Sequence, residues 1–183
     1  MDLAAFTIDN TPPFSLEGRE SIARLLDVHD GDTVTVAFEV FPACVYKLNI
    51  RLLGIDAPEI TSKIPATRTL AERARMRVVS ALAPGLQESV SLGPRPTRRT
   101  LTTALSSRVY EVFVCCRGMD KYGRVLATVS KERGGACVSE ILLGEGLAKP
   151  YGGGSKTGLW TINENSTPDA PQNGTPDLDS KPV

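Results

Sequence analysis

The chain is short of several things that would each point somewhere. It has one histidine in 183 residues and four cysteines, none in a Cys-x-x-Cys pair. His29 cannot complete a zinc set with Cys44, Cys115, Cys116 and Cys137 at any usual spacing. The reading is buried free thiols, with adjacent Cys115 and Cys116 pointing to opposite faces of an extended run. Aromatic residues make up 5% of the chain, which argues against a base-stacking single-strand binder. No stretch approaches 18 apolar residues, so no span of a membrane is expected. The first 14 residues lack a basic region followed by an apolar stretch, so no secretory leader is expected, and an intracellular, cytoplasmic placement follows. Position 2 is not glycine, which excludes myristoylation there. Glycosylation triplets at Asn165 and Asn173 read as chance matches in polar sequence.

Net charge is also absent: 21 basic residues stand against 21 acidic. That disfavours a bulk nucleic-acid coat protein and leaves room for an enzyme with a local basic site. The charge is uneven. Residues 161–183 carry four acids and one base, leaving 20 basic and 17 acidic side chains upstream. Fourteen of the 21 bases are arginine, which suits two-pronged contact with phosphate.

What is present is one domain's worth of patterned chain. Residues 1–18 read as a flexible arm, 19–160 as the folded domain, and 161–183 as a disordered acidic tail rich in Pro, Asn, Thr and Ser. Residues 21–29 read as a first strand. Period-two alternation over 33–40 and 45–53, around a turn at 41–44, predicts a hairpin. One face carries Val34, Val36, Phe38 and Val40, then Tyr46, Leu48, Ile50 and Leu52. Leu70, Ala74, Val78, Ala81 and Leu82 recur at helical spacing and predict a helix over 66–83, ended by Pro84-Gly85. A short strand is expected at 88–92 and a polar loop at 93–107. A second hairpin is expected from 108–117 and 123–130, and a helix over 138–147. The sum is a mainly β fold: a five-stranded OB-type Greek-key barrel with two or three packed helices.

Three segments carry chemistry: Asp30-Gly31-Asp32-Thr33 before a strand, Arg51 through Glu59 where a strand ends, and Asp120-Lys121-Tyr122-Gly123-Arg124 in a turn. Asp32 and Asp56 flank one hairpin and can reach a common ion. Two carboxylates, a backbone carbonyl and water suit Ca²⁺, and Mg²⁺ or Mn²⁺ also take oxygen ligands. Glu59 lies near enough to orient or deprotonate a water. Arg51 and Arg124, if they converge, form the guanidinium clamp that a phosphodiester transition state requires. Asp30 reads as a turn-maker, and His29 has no evident orienting partner.

Together the three segments, with Gly146-Leu147-Ala148-Lys149, resemble the staphylococcal nuclease (thermonuclease) family from about Ile22 to Lys149. The resemblance implies a Ca²⁺-dependent endonuclease that cuts DNA and RNA, with unpaired strands preferred, and leaves 3′-phosphate ends. By it, Asp32, Asp56 and the carbonyl of Ala57 are the metal ligands. Glu59 is the general base or water-positioning group, and Arg51 and Arg124 bind the scissile phosphate. Tyr122 and Tyr151 are the candidates for contact with a substrate base. The best-known member has Thr where this chain has Ala57. The stretch before the third segment is longer here, and its Arg95, Arg98 and Arg99 are expected to extend the nucleic-acid track. The family's C-terminal helix has no counterpart, since Gly152-Gly153-Gly154 leads into polar sequence. A monomer is expected. The alternative is a non-catalytic nucleic-acid- or protein-binding module on the same barrel, which intact acids and arginines disfavour.

Overall fold

The computed structural model describes residues 2–89, 92–93, 95–153 and 160. Five strands close into a barrel: β1 (Glu20–Val28), β2 (Thr33–Phe41), β3 (Cys44–Leu52), β5 (Glu111–Met119) and β6 (Val125–Ser130). Their order round the barrel is β1-β2-β3-β6-β5, with β5 returning to pair with β1. All neighbours are antiparallel except β3 and β6, which run parallel. This is the mixed, closed five-stranded barrel of the OB type that the alternation predicts. Two short strands, β4 (Ile55–Asp56) and β7 (Lys149–Pro150), pair outside it.

The alternating residues explain the closure. Val34, Val36, Phe38 and Val40 are buried, as are Ile50 and Leu52 at the end of β3. The start of β3 differs: Tyr46 is 51% exposed, because the hairpin tip extends past the barrel. Cys116 belongs to the core and Cys115 does not, as opposite pointing requires; burial pushes the Cys116 thiol up to about 11. Only these two thiols are buried, whereas Cys44 is exposed.

Helix α1 (Pro65–Leu82) lies against the barrel through Ala71, Ala74, Val78, Val79 and Leu82. Pro65 at its first turn has the φ a helix needs and no N–H to waste. Arg75 of this helix is buried, and its Nη2 donates to the Pro96 carbonyl at 2.5 Å. Arg77 pairs with Glu145 at 2.7 Å, tying α1 to the segment after α4 (Val138–Gly144).

Two expectations are corrected. Leu86–Ser89 is a helical turn, α2, where a strand was expected to begin; residues 90 and 91 lie outside the described residues. The polar loop contains a nine-residue helix, α3 (Arg98–Ser106). Its N-cap is Thr97, whose side chain accepts from the Thr100 N–H, and Leu101, Ala104 and Leu105 are buried. Three apolar residues among twelve polar, Gly or Pro neighbours over 93–107 gave too weak a periodicity to stand out. The described residues therefore hold four α-helices beside the barrel, of which α2 is a single four-residue turn.

In the arm, Leu16 is buried in the core and the Gly18 N–H donates to the Cys116 carbonyl. The expected tail, both Asn triplets and most of the segment in which no C-terminal helix was expected lie outside the described residues. No helix among the described residues is long and apolar enough to cross a membrane.

Candidate active site

The three segments meet at one end of the barrel. The turn between β1 and β2 carries Asp32, and β3 ends at Arg51 and Leu52. Backbone bonds hold them together: the Leu52 N–H donates to the Asp32 carbonyl at 2.8 Å. The Asp30 carboxylate accepts from the Asp32 N–H at 3.0 Å, so it does make the turn. Gly31 permits a close approach. A Cβ there would stand 2.7 Å from the Ala57 Cβ and 2.8 Å from the Ala74 Cβ. The turn, the post-β4 segment and α1 therefore pack together only because residue 31 has no side chain.

Arg51 alternates out of the barrel interior yet is buried beneath this turn. Its Nη1 lies 3.0 Å from Asp32 Oδ2 and its Nη2 3.6 Å from Asp56 Oδ1. One guanidinium thus spans both expected metal carboxylates. Asp32 Oδ2 also accepts from the Ala57 N–H at 3.0 Å, and Oδ1 from the Thr33 hydroxyl at 3.0 Å. Asp56 is placed by pairing with Lys149 across β4 and β7, and Tyr151 follows through its N–H to the Gly54 carbonyl.

Burial, and then the neighbouring charge of Asp30, push the Asp32 carboxyl above its ordinary 3.8; Arg51, the Ala57 N–H and the Thr33 hydroxyl pull the other way. The upward push prevails.

Arg124 comes from the opposite side. Asp120 organises its turn: Oδ1 accepts from the Tyr122 and Arg124 N–H groups, both at 2.9 Å, and Oδ2 from Arg124 Nε at 2.7 Å. The Asp120 carboxyl is lowered. Burial alone would raise it, but these hydrogen bonds and the Arg124 charge outweigh burial. Asp120 as the residue that aims Arg124 was not foreseen; their four-residue spacing was its only trace in the sequence.

A cleft of about 1100 Å³ is lined by Asp32, Arg51, Glu59, Arg124, Tyr122 and Tyr151, with His29, Asp30 and Lys121 beside them. Asp56 and Ala57 are not on its wall: Asp56 is reached through Arg51, and Ala57 is buried. Tyr122 is 73% exposed, with Arg124 5.7 Å from its ring centroid. Arg51 lies 5.9 Å from the Tyr151 ring centroid. His29 Nε2 stands 3.9 Å from Asp30 Oδ2. The three loop arginines do not act alike. Arg95 pairs with Glu72 at 3.1 Å and Arg98 with Asp27 at 2.5 Å, which removes two of the three from a free track.

The staphylococcal nuclease homologue family matches residues 49–158, from β3 past β7. The chain belongs to that family. The match takes in Arg51, Asp56, Ala57, Glu59, Tyr122, Arg124 and Tyr151; Asp32 lies upstream of it. The barrel is the fold of a staphylococcal nuclease homologue, and membership makes the chain a nuclease-like or nucleic-acid-binding module. No curated protein matches it.

The donor chemistry fits a hard cation. Among the described residues no three His, Cys, Asp or Glu side chains converge as a metal cluster; Asp32 and Asp56, brought together on Arg51, could supply two carboxylate ligands. Backbone and water oxygens would supply the rest, a set that suits Ca²⁺.

Proposed function

We propose that the protein is a Ca²⁺-dependent endonuclease that hydrolyses phosphodiester bonds of DNA and RNA, prefers unpaired strands, and leaves 3′-phosphate ends. The observation that carries this reading is one cleft receiving Asp32, Arg51, Glu59 and Arg124 from three separate segments. Asp32, Asp56 and the Ala57 carbonyl would hold Ca²⁺, which when bound would supply a positive centre for the phosphate and its attacking water.

Glu59 accepts a proton from the attacking water. The water oxygen bonds to phosphorus as the bond from phosphorus to the 5′-oxygen breaks, giving a 3′-phosphate and, once the departing oxygen takes a proton from solvent, a 5′-hydroxyl. Arg124, aimed by Asp120, meets the charge that grows on the phosphoryl oxygens. Arg51 does two things: it holds Asp32 and Asp56 in register, and it presents a guanidinium to the same cleft. Tyr122 and Tyr151 line the cleft where a base of an unpaired strand can rest on a ring.

Heat-denatured plasmid DNA, incubated with the protein and Ca²⁺, Mg²⁺ or a chelator, tests this. Cleavage is expected with Ca²⁺ and not with chelator. Glu59→Gln is expected to lower kcat by roughly 10²–10⁴-fold, the usual worth of a general base. A folded protein that cuts nothing with either metal would overturn the nuclease reading and leave the binding module.

A further inference from the structure

A second groove, of about 900 Å³, runs between α3 and the outer face of β1, β2 and β3. It joins the cleft: Thr35, Asn49 and Arg98 line both. Strand register sets its chemistry. Arg24 pairs with Ala37 across β1 and β2, and Ala37 with Lys47 across β2 and β3. Two cations thus flank a small residue, two strand spacings or about 10 Å apart. The facing wall is α3, where Arg99, Thr103 and Ser106 share one side at helical spacing.

The charge of this groove is one-sided. Its single acid, Asp27, is already satisfied, by Arg98 Nε at 2.5 Å and the Thr102 hydroxyl at 3.0 Å. Arg24, Lys47 and Arg99 have no ion-pair partner among the described residues. Arg24 Nε is buried and has no hydrogen-bond partner among them either. In a chain with no net charge, three cations without an ion pair in one groove favour an anionic occupant, even with Glu111 opposite Arg24 across β1 and β5. No aromatic residue lines it, so it is not built to stack bases. A chain of phosphates fits, and the continuity with the cleft says whose.

We propose that this groove binds the phosphodiester backbone of a single-stranded nucleic acid as it leaves the cleft, through Arg24, Lys47 and Arg99. The proposal rests on the cleft receiving such a strand. It replaces the Arg95–Arg98–Arg99 track, and it makes long substrates bind better than short ones while leaving the chemical step alone.

The test uses the full chain and a triple variant, Arg24→Gln, Lys47→Gln and Arg99→Gln. Fluorescence anisotropy in chelator follows labelled oligothymidylate about 20 nucleotides long and a dinucleotide, across a salt series. Hydrolysis of both is followed in Ca²⁺. The triple variant is expected to bind the long strand roughly tenfold or more weakly. Its slope of log affinity against log salt should fall by about 2, the single-strand value for three lost phosphate contacts. Dinucleotide hydrolysis should stay unchanged.

A control triple, Arg108→Gln, Lys131→Gln and Arg133→Gln, removes equal charge outside both grooves and should change little. An unchanged salt slope in the groove variant, equal losses on long and short substrates, or equal losses in the control would each overturn the proposal. If the groove variant fails to fold, Lys47→Gln with Arg99→Gln, both at exposed positions, decides it. If the wild type hydrolyses nothing, the nuclease reading falls while the binding series still decides the groove.

Discussion

Arg51 and Arg124 carry the same charge and face the same cleft, yet they differ as structural elements. Arg51 is buried between two aspartates, and its removal strands both carboxylates beneath the turn. Arg51→Met is expected to destabilise the protein by about 3–5 kcal/mol as well as to abolish activity. Arg124 sits in a partly exposed turn against one carboxylate. Arg124→Met should cost about 1 kcal/mol or less while lowering activity comparably. Urea unfolding beside a DNA cleavage assay separates the two. Asp120 adds a pH signature. Its folded value lies below the ordinary 3.8, so its contribution to stability is complete above that value and is lost as pH falls through the folded value. The stability gap between wild type and Asp120→Asn should therefore narrow as pH is taken from neutral into the acid limb. A gap that stays constant below pH 4 would show that the hydrogen bonds to Asp120 do not favour its ionised form.

At the scale of elements, the site depends on the approach of the β1–β2 turn, the segment after β4 and helix α1. Gly31 sets that distance. Gly31→Ala is expected to destabilise by about 1–3 kcal/mol, the cost of overfilling a packed contact. It should also displace Asp32 from the Ala57 N–H, so activity should fall more than stability alone explains. Thermal unfolding and kcat/KM measured on one preparation check both. The pattern-bearing elements were legible: β2, β3, β5, β6 and α1 lie within a few residues of where alternation or helical spacing put them. Helix α3 was not. Its identity rests on the Thr97 cap and on three apolar residues finding β1, a contact absent from local sequence.

At the scale of the whole molecule, the core described runs from Leu16 to Ala148, and the site occupies one end of the barrel it fills. An ion bound only by the folded state stabilises the entire fold by mass action. At about 100 times its Kd that amounts to about 2.7 kcal/mol. For a folded body of this size it is a rise in Tm of roughly 5–10 °C. Excess Ca²⁺ is expected to raise the Tm of the wild type by that order and to leave Asp32→Asn unmoved. Differential scanning calorimetry reads this without any substrate, so it tests the metal site apart from catalysis. Equal shifts in the two proteins would place the ion elsewhere.

The sequence by itself determined the barrel, because alternation with a period of two and one amphipathic helix are local signals that survive without tertiary context. It also nominated the residues proposed to carry the chemistry, since acids and arginines in short segments around turns are recognisable in order. What the tertiary structure decided is how they are used. Only folding buries Arg51 between Asp32 and Asp56, aims Arg124 by way of Asp120, and spends Arg95 and Arg98 on Glu72 and Asp27. Only strand register brings Arg24 and Lys47 to either side of Ala37. Charge pairing and burial depend on distances between residues far apart in the chain, and those distances exist only after the barrel has closed.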